Sequence, residues 1–216
     1  MTKNGYYSCP PDGFFLSHPS EQYSFYLKFK EIATPSQLVE FTDHKSPAVR
    51  VYAFKALESI KHDSLFEIAK RHIHDTAWIK ESCFDYLRNM PVGDFFVGTD
   101  SISIDQRNRL DSLLIYQDNK LRHTNTVIRN LETSEKYYDR IKMMSVHRET
   151  AIIALAKYQK QSDIPFIQEQ LHRNYFYSIR AIEYFPAPEF KSTILDLNKR
   201  GANHFGNYFS VAVYKD

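Results

Sequence analysis

One helical stretch is written twice in this chain. Arg50-Val-Tyr-Ala53-Phe-Lys-Ala56-Leu57 reads R-x-x-A-x-x-A-L, and Arg148-Glu-Thr-Ala151-Ile-Ile-Ala154-Leu155 reads the same. Beyond each copy lies a turn with an aspartate and then an apolar pair: Asp63 with Leu65-Phe66, and Asp163 with Pro165-Phe166. Ser178 with Ala181-Ile182 is a weaker third copy, and Ser210-Val-Ala212-Val a fourth. In the first copy Val49, Ala53, Ala56, Leu57 and Ile60 make a stripe at helical spacing, yet Val51 and Phe54 place apolar side chains on other faces. A helix that is apolar on more than one side must be sandwiched between neighbours. Alanines at three-residue spacing let those neighbours come close. Units of this kind cover their faces only by stacking on the next, which is the logic of a repeat array.

Start and stop signals extend the pattern. Ser20 caps a helix to about Ala33, and Thr34-Pro35-Ser36-Gln37 is a capping box with proline at the first helical position, opening a helix to about Thr42. Ser46-Pro47 starts a helix to about Ile60, Asp63 one to Ile73, and Asp75 one ending near Met90-Pro91. Pro91, Gly93 and Gly98 then break the pattern around the apolar knot Phe95-Phe96-Val97, and the alternation Ser101-Ile102-Ser103-Ile104 allows one short strand. Helices are expected again over about 105–118, 123–131, 135–145, 148–159, 163–172, 175–185 and 188–199, with a last one over Asn207–Tyr214. With only 6 Gly and 9 Pro the chain is poor in the punctuation a many-stranded sandwich needs. The expected fold is all-α, a right-handed solenoid of antiparallel helix pairs. Residues 1–19 form an irregular arm, 20–216 a single array, and the region near 91–104 an insertion. Its concave face is lined by helices 47–60, 76–89, 148–159 and 175–185.

Ser46-Pro-Ala-Val-Arg50-x-x-Ala53-x-x-Ala56-Leu57 resembles the second helix of a HEAT repeat, a member of the armadillo-like class, in its turn, its Val-Arg pair and its alanine spacing. The likeness is clearest over 34–75 and 146–172, weaker over 173–216 and poor over 90–145. The whole chain also resembles bacterial HEAT-repeat proteins carrying a Val-Gly-Asp-Phe-Phe stretch, here Val92–Phe96. The resemblance implies a fold rather than an activity, because folds host unrelated functions. It also implies that Arg50 and Arg148 brace inter-helix turns by meeting an acidic residue or a backbone carbonyl, with Asp43 the expected partner of Arg50.

Chemical signatures are few. His72 and His74 are two residues apart in an expected helix, so their side chains point about 200° apart and do not converge on one ion. There is no H-E-x-x-H, and none of the His-Glu dipeptides that HEAT-type deoxyhypusine hydroxylases carry at their iron site, since Arg148 follows His147. No G-x-S-x-G or P-loop appears. Asp94 and Asp100 flank Phe95 to Gly98 within the irregular segment and read as a solvated loop, while Cys83 reads as a buried helical thiol and Trp78 as a core residue. No catalytic, cofactor or metal residue is therefore assigned, and no cofactor is expected.

Charge and cysteine use bound the partners. Lys+Arg of 28 against Asp+Glu of 26 lacks the basic excess of a nucleic-acid clamp. Basic clusters such as Lys70-Arg71 and Lys199-Arg200 have acidic neighbours. The expectation is a non-enzymatic scaffold binding a protein or peptide on the concave face, through Tyr52, Lys55, Trp78 and Lys157. The alternative is a nucleic-acid-binding or DNA-glycosylase-like HEAT protein, with Lys55 and Lys157 on corresponding helices facing the ligand. Cys9 and Cys83 lie far apart and make no disulfide framework, so reduced thiols in a cytoplasmic protein are the default. No apolar run approaches the ~20 residues that span a bilayer. The final helix, with Phe209, Val211 and Val213, would lack a following unit; either it packs against a second copy, as a homodimer, or the chain is shortened.

Overall fold

The computed structural model describes residues 5–10, 20–83, 86–173 and 175–199. Among the described residues, twelve α-helices against three short strands make the protein mostly helical. The chain divides into two compact units, Met1–Thr124 and Asn125–Asp216.

The first unit runs β1 (Tyr6–Ser8), α1 (Glu21–Ile32), α2 (Pro35–Phe41), α3 (Pro47–Ser59), α4 (Leu65–Arg71), β2 (Trp78–Cys83), β3 (Tyr86–Pro91), α5 (Val92–Val97) and α6 (Ile104–Tyr116). Local chemistry sets the helix starts. The Ser20 hydroxyl accepts the Tyr23 amide at 3.1 Å, and Thr34 with Gln37 closes the expected capping box. Ser103 and Gln106 close a second box on α6, so the Ser101–Ile104 alternation leads into a helix and not a strand. α3 is the centre of the unit. Val51, Tyr52, Ala53, Phe54, Ala56 and Leu57 are all buried, and α3 touches α1, α2, α4, α5, β1 and β2. Removing each large side chain from water contributes about 1.5–3 kcal/mol, so this one helix organises the unit.

The stretch expected as a helix over 76–89 is a β-hairpin. β2 pairs with β3 antiparallel from Trp78↔Pro91 to Cys83↔Tyr86, and β1 adds in parallel, with Tyr7 opposite Glu81. The physical reason is a two-residue period. Ile79, Glu81 and Cys83 are buried, whereas Trp78 and Lys80 are exposed and Ser82 is half-buried. From β1 the Tyr7 ring reaches Tyr52 at 5.3 Å and Phe95 at 5.1 Å. The apolar knot of the expected insertion is α5, with every residue buried. Phe96 packs on Phe54 at 4.5 Å, and the Gly93 amide donates to the Asp75 carbonyl at 2.9 Å. β1 lies within the stretch expected as an irregular arm.

α7 (His123–Asn130) leads into the second unit, which continues through α8 (Glu135–Met144), α9 (Glu149–Ala156), a 3-10 turn (Gln161–Asp163), α10 (Ile164–Arg173), α11 (Tyr175–Tyr184) and α12 (Phe190–Lys199). α9 is buried from Thr150 through Ala156. Ile152 and Ala156 join Ile167, Leu171, Ile182, Phe185 and Phe190 in one core. The second copy of the repeated stretch thus occupies in its unit the place that α3 holds in the first. The expected last helix over Asn207–Tyr214 lies outside the described residues. Among those described, no helix is long and apolar enough to cross a membrane.

Candidate functional site

The hairpin carries the most exposed large side chains of the first unit's sheet. Residues opposite one another on an antiparallel ladder share a face, so Trp78, Lys80, Asn89 and Leu87 point the same way. Trp78 is 59% exposed and Leu87 68%. The Arg122 guanidinium lies 5.3 Å from the Trp78 ring, a cation–π contact on the rim of this face. On the opposite face Glu81 is buried and pairs with Arg88 directly across the ladder. β3 is an edge strand, with Tyr86, Leu87, Arg88 and Asn89 all exposed, and no described strand pairs with its outer side. Trp78, expected on the binding face and also read as a core residue, is therefore a surface group.

Just before the hairpin in the chain, Asp75 sits in a charge network. Arg50 Nη1 donates to the carbonyls of His44 at 2.8 Å and Lys45 at 3.3 Å, and Arg50 Nη2 donates to Asp75 Oδ1 at 3.1 Å. The arginine of the repeated stretch does brace the turn before its helix, but its acidic partner is Asp75. Asp43 pairs instead with Arg71 at 2.8 Å and with His72 Nε2 at 3.1 Å. His72 Nδ1 is 3.3 Å from Asp75 Oδ2, and the ring stacks on Phe96 at 4.2 Å. Burial works to raise the Asp75 carboxyl, but bonds from His72, Arg50 and the Ala77 amide outweigh it and hold the group below its ordinary range. His74 is exposed and takes no part.

Asp94, expected in a solvated loop, is buried. Its carboxylate accepts the backbone amides of Arg122 at 3.2 Å and His123 at 2.9 Å, capping the start of α7 from a distant helix. Tyr52 is also buried, so it is a core residue and not a binding one. Its hydroxyl accepts the Ser8 amide at 2.8 Å, and burial, the largest influence, drives its phenol pKa well up. The neighbouring Tyr26 is pushed up to about 12, again chiefly by burial. Lys55 pairs with Glu58 at 2.6 Å along its own helix.

In the second unit Arg148 Nη1 donates to Asn125 Oδ1 at 2.9 Å, a neutral partner that the Thr150 hydroxyl shares at 3.1 Å. Lys157, expected on the ligand face, donates to the carbonyls of Arg129 at 2.6 Å and Leu131 at 3.4 Å at the end of α7, and desolvation lowers its pKa. Buried Asp163 accepts from the Tyr138 hydroxyl at 2.8 Å and from Lys142 at 2.7 Å; the bond to Asp163 raises the Lys142 ammonium. These groups satisfy one another and tie α8 to the 3-10 turn. Tyr52 is thus buried, Lys55 and Lys157 are each engaged within their own unit, and Trp78 presents an exposed recognition group.

The cysteines also differ from expectation. Cys9 and Cys83 are joined in a disulfide, with their Cα atoms 5.0 Å apart. Parallel pairing of β1 beside β2 brings them together, and their separation of 74 residues hid this in the sequence. Cys9, Glu81 and Cys83 place three donor atoms within 4.8 Å of one another. With both sulfurs bonded together and Glu81 engaged by Arg88, this set does not fit a metal ion, which needs free thiolates. Compared with protein-family models, with curated proteins and with solved structures, the chain finds no match.

Proposed function

We propose that this protein is a non-enzymatic scaffold, built on HEAT-like helix pairs, that binds an extended segment of a partner protein along its β2–β3 hairpin. The observation that carries the reading is the outer strand β3, a sheet edge that no described strand covers, beside exposed Trp78 and Leu87. An edge of this kind is normally shielded; left open beside apolar groups it is a template for a further strand. Backbone bonds would supply affinity, and Trp78 and Leu87 would select apolar side chains at alternate positions. Lys80 and Arg122 flank the same face, so a segment that also carries acidic residues is favoured. The helix pairs α2–α3 and α8–α9, with Arg50 fixing the turn before α3 and Arg148 tying the start of α9 to Asn125 of α7, support the HEAT-like part. The self-paired clusters around Asp75 and Asp163 support a framework role for the remaining charged groups. A cytoplasmic setting belongs to the same proposal.

Arg122 over Trp78, with Lys80 nearby, is also an arrangement on which an unpaired base could stack, and this observation keeps a nucleic-acid reading as the alternative. Peptides selected from a random displayed library against the folded protein decide between them. The selected peptides are expected to alternate apolar with other residues, and to bind the Trp78→Ala/Leu87→Ser double variant at least about tenfold more weakly, a loss of about 1.4 kcal/mol. Its melting temperature should stay close to that of the parent, since both side chains are exposed. Equal binding by the variant overturns the proposal. So does a failed selection alongside salt-sensitive, Trp78-dependent binding of a labelled single-stranded oligonucleotide.

A further inference from the structure

We propose that the Cys9–Cys83 disulfide is a thiol-exchange site for a dithiol reductant, and that its reduction releases β1 from the sheet. These are the only two cysteines of the chain, and they lock the end of a three-residue strand to the end of β2. Their burial is unequal. Cys9 is half-buried, whereas Cys83 is 1% exposed. An incoming thiolate therefore meets Cys9 Sγ, and Cys83 is the leaving sulfur. The reductant's first sulfur bonds to Cys9 as the Sγ–Sγ bond breaks, and Cys83 departs with the electron pair and takes up a proton. The reductant's second thiolate then attacks its own first sulfur, and Cys9 leaves and is protonated. Two electrons and two protons pass to the protein, and the dithiol ends as a disulfide.

What remains of the hold on β1 is non-covalent: the three-residue pairing with β2, the buried Tyr7 ring and a few hydrogen bonds. The Cys9 amide donates to the Ser82 carbonyl at 3.0 Å, the Ser8 amide to the Tyr52 hydroxyl at 2.8 Å, and the Ser20 hydroxyl to that of Ser8 at 2.8 Å. Tyr7 adds ring contacts. None of these is covalent, and a strand of three residues has few ladder bonds to lose. Once β1 leaves, the Lys80–Ser82 backbone of β2 becomes a second open edge. The inference rests on the cytoplasmic part of the reading above, where protein disulfides are usually transient or sensing rather than permanent. It does not depend on the hairpin's partner.

The test uses the full chain in its oxidised form, treated without denaturant with a thioredoxin-type dithiol protein. Free thiols are counted by alkylation and mass, and amide exchange is followed by mass spectrometry. Both thiols should appear together, and peptides covering Tyr6–Ser8 and Lys80–Ser82 should exchange at least about tenfold faster while α3 stays protected. Cys9→Ser should show the fast exchange with or without reductant. Three results overturn the proposal: a disulfide that opens only after unfolding, which marks a permanent cross-link; reduction with no change in exchange; or uptake of one zinc ion by the reduced protein with β1 still protected, which marks a metal site. Peptide binding at β3 is measured separately, so either proposal can fail alone.

Discussion

Gly93 shows how one residue fixes a close approach. A Cβ there would sit 2.7 Å from the His72 carbonyl oxygen, 2.8 Å from Leu121 Cδ2 and 3.0 Å from the Asp75 carbonyl oxygen. Two of the three are backbone atoms, which cannot swing away. Gly93→Ala is therefore expected to cost about 1–3 kcal/mol, read as a lower urea midpoint at unchanged slope. An unchanged midpoint would show that α5 can shift. His123 gives a pH signature. Burial, aided by Arg107 and opposed by Asp100, lowers its pKa below the ordinary 6.5. As pH falls, the unfolded chain takes up the proton first, so this contribution to stability is intact above about pH 6.5 and is lost toward the folded-state value. His123→Gln should flatten the fall in urea midpoint between about pH 7 and 5.5; an undiminished slope would assign that fall to other groups. At this scale the sequence was readable where partners are local, as in the Thr34–Gln37 box. It was not where they are remote. Asp94 read as solvated because the amides it caps belong to Arg122 and His123, and Arg50 read toward Asp43 because Asp75 lies beyond the next helix.

Among elements, most helices were legible from caps and apolar period, and the hairpin was not. Its inward positions are Ile79, Glu81 and Cys83, and a charged residue in the middle disguises the two-residue alternation. Glu81 is tolerable inside only because Arg88 stands opposite it, a partner that exists once the strand has been folded back. Cys83 was read as a helical thiol for the same reason, since its partner arrives on a parallel strand from the far end of the unit. Closing a loop of this length removes unfolded-chain entropy worth about 4 kcal/mol. Cys83→Ser, compared with the oxidised parent, should lose stability on that scale and shift the denaturant midpoint accordingly. A change below about 1 kcal/mol would show that the cross-link adds little beyond the sheet contacts.

For the molecule as a whole, the repeated stretch carried real information about burial and less about surroundings. Val51 and Phe54, off the main stripe, foretold that α3 is covered on more than one side, and both are buried. They did not say that part of the cover is a sheet, because a helix face meets strands and helices with the same apolar atoms. Ile60 marks the limit of the stripe: it has helical spacing with Leu57 and Ala53, yet it is 49% exposed, at the C-cap where the chain turns away. The difference is measurable. Phe54→Ala should cost about 3–5 kcal/mol and speed amide exchange in α3 and α5, because its ring fills the space beside Phe96. Ile152→Ala, at the matching position of the second copy, should cost about 2–5 kcal/mol and act on α9 and its neighbours. Ile60→Ala should stay within about 1 kcal/mol of the parent, since about half of its surface remains in water on folding. Should Ile60 prove as costly as Phe54, the packing of α3 would follow the simple stripe of its sequence, and the sheet would have to be placed elsewhere than against it.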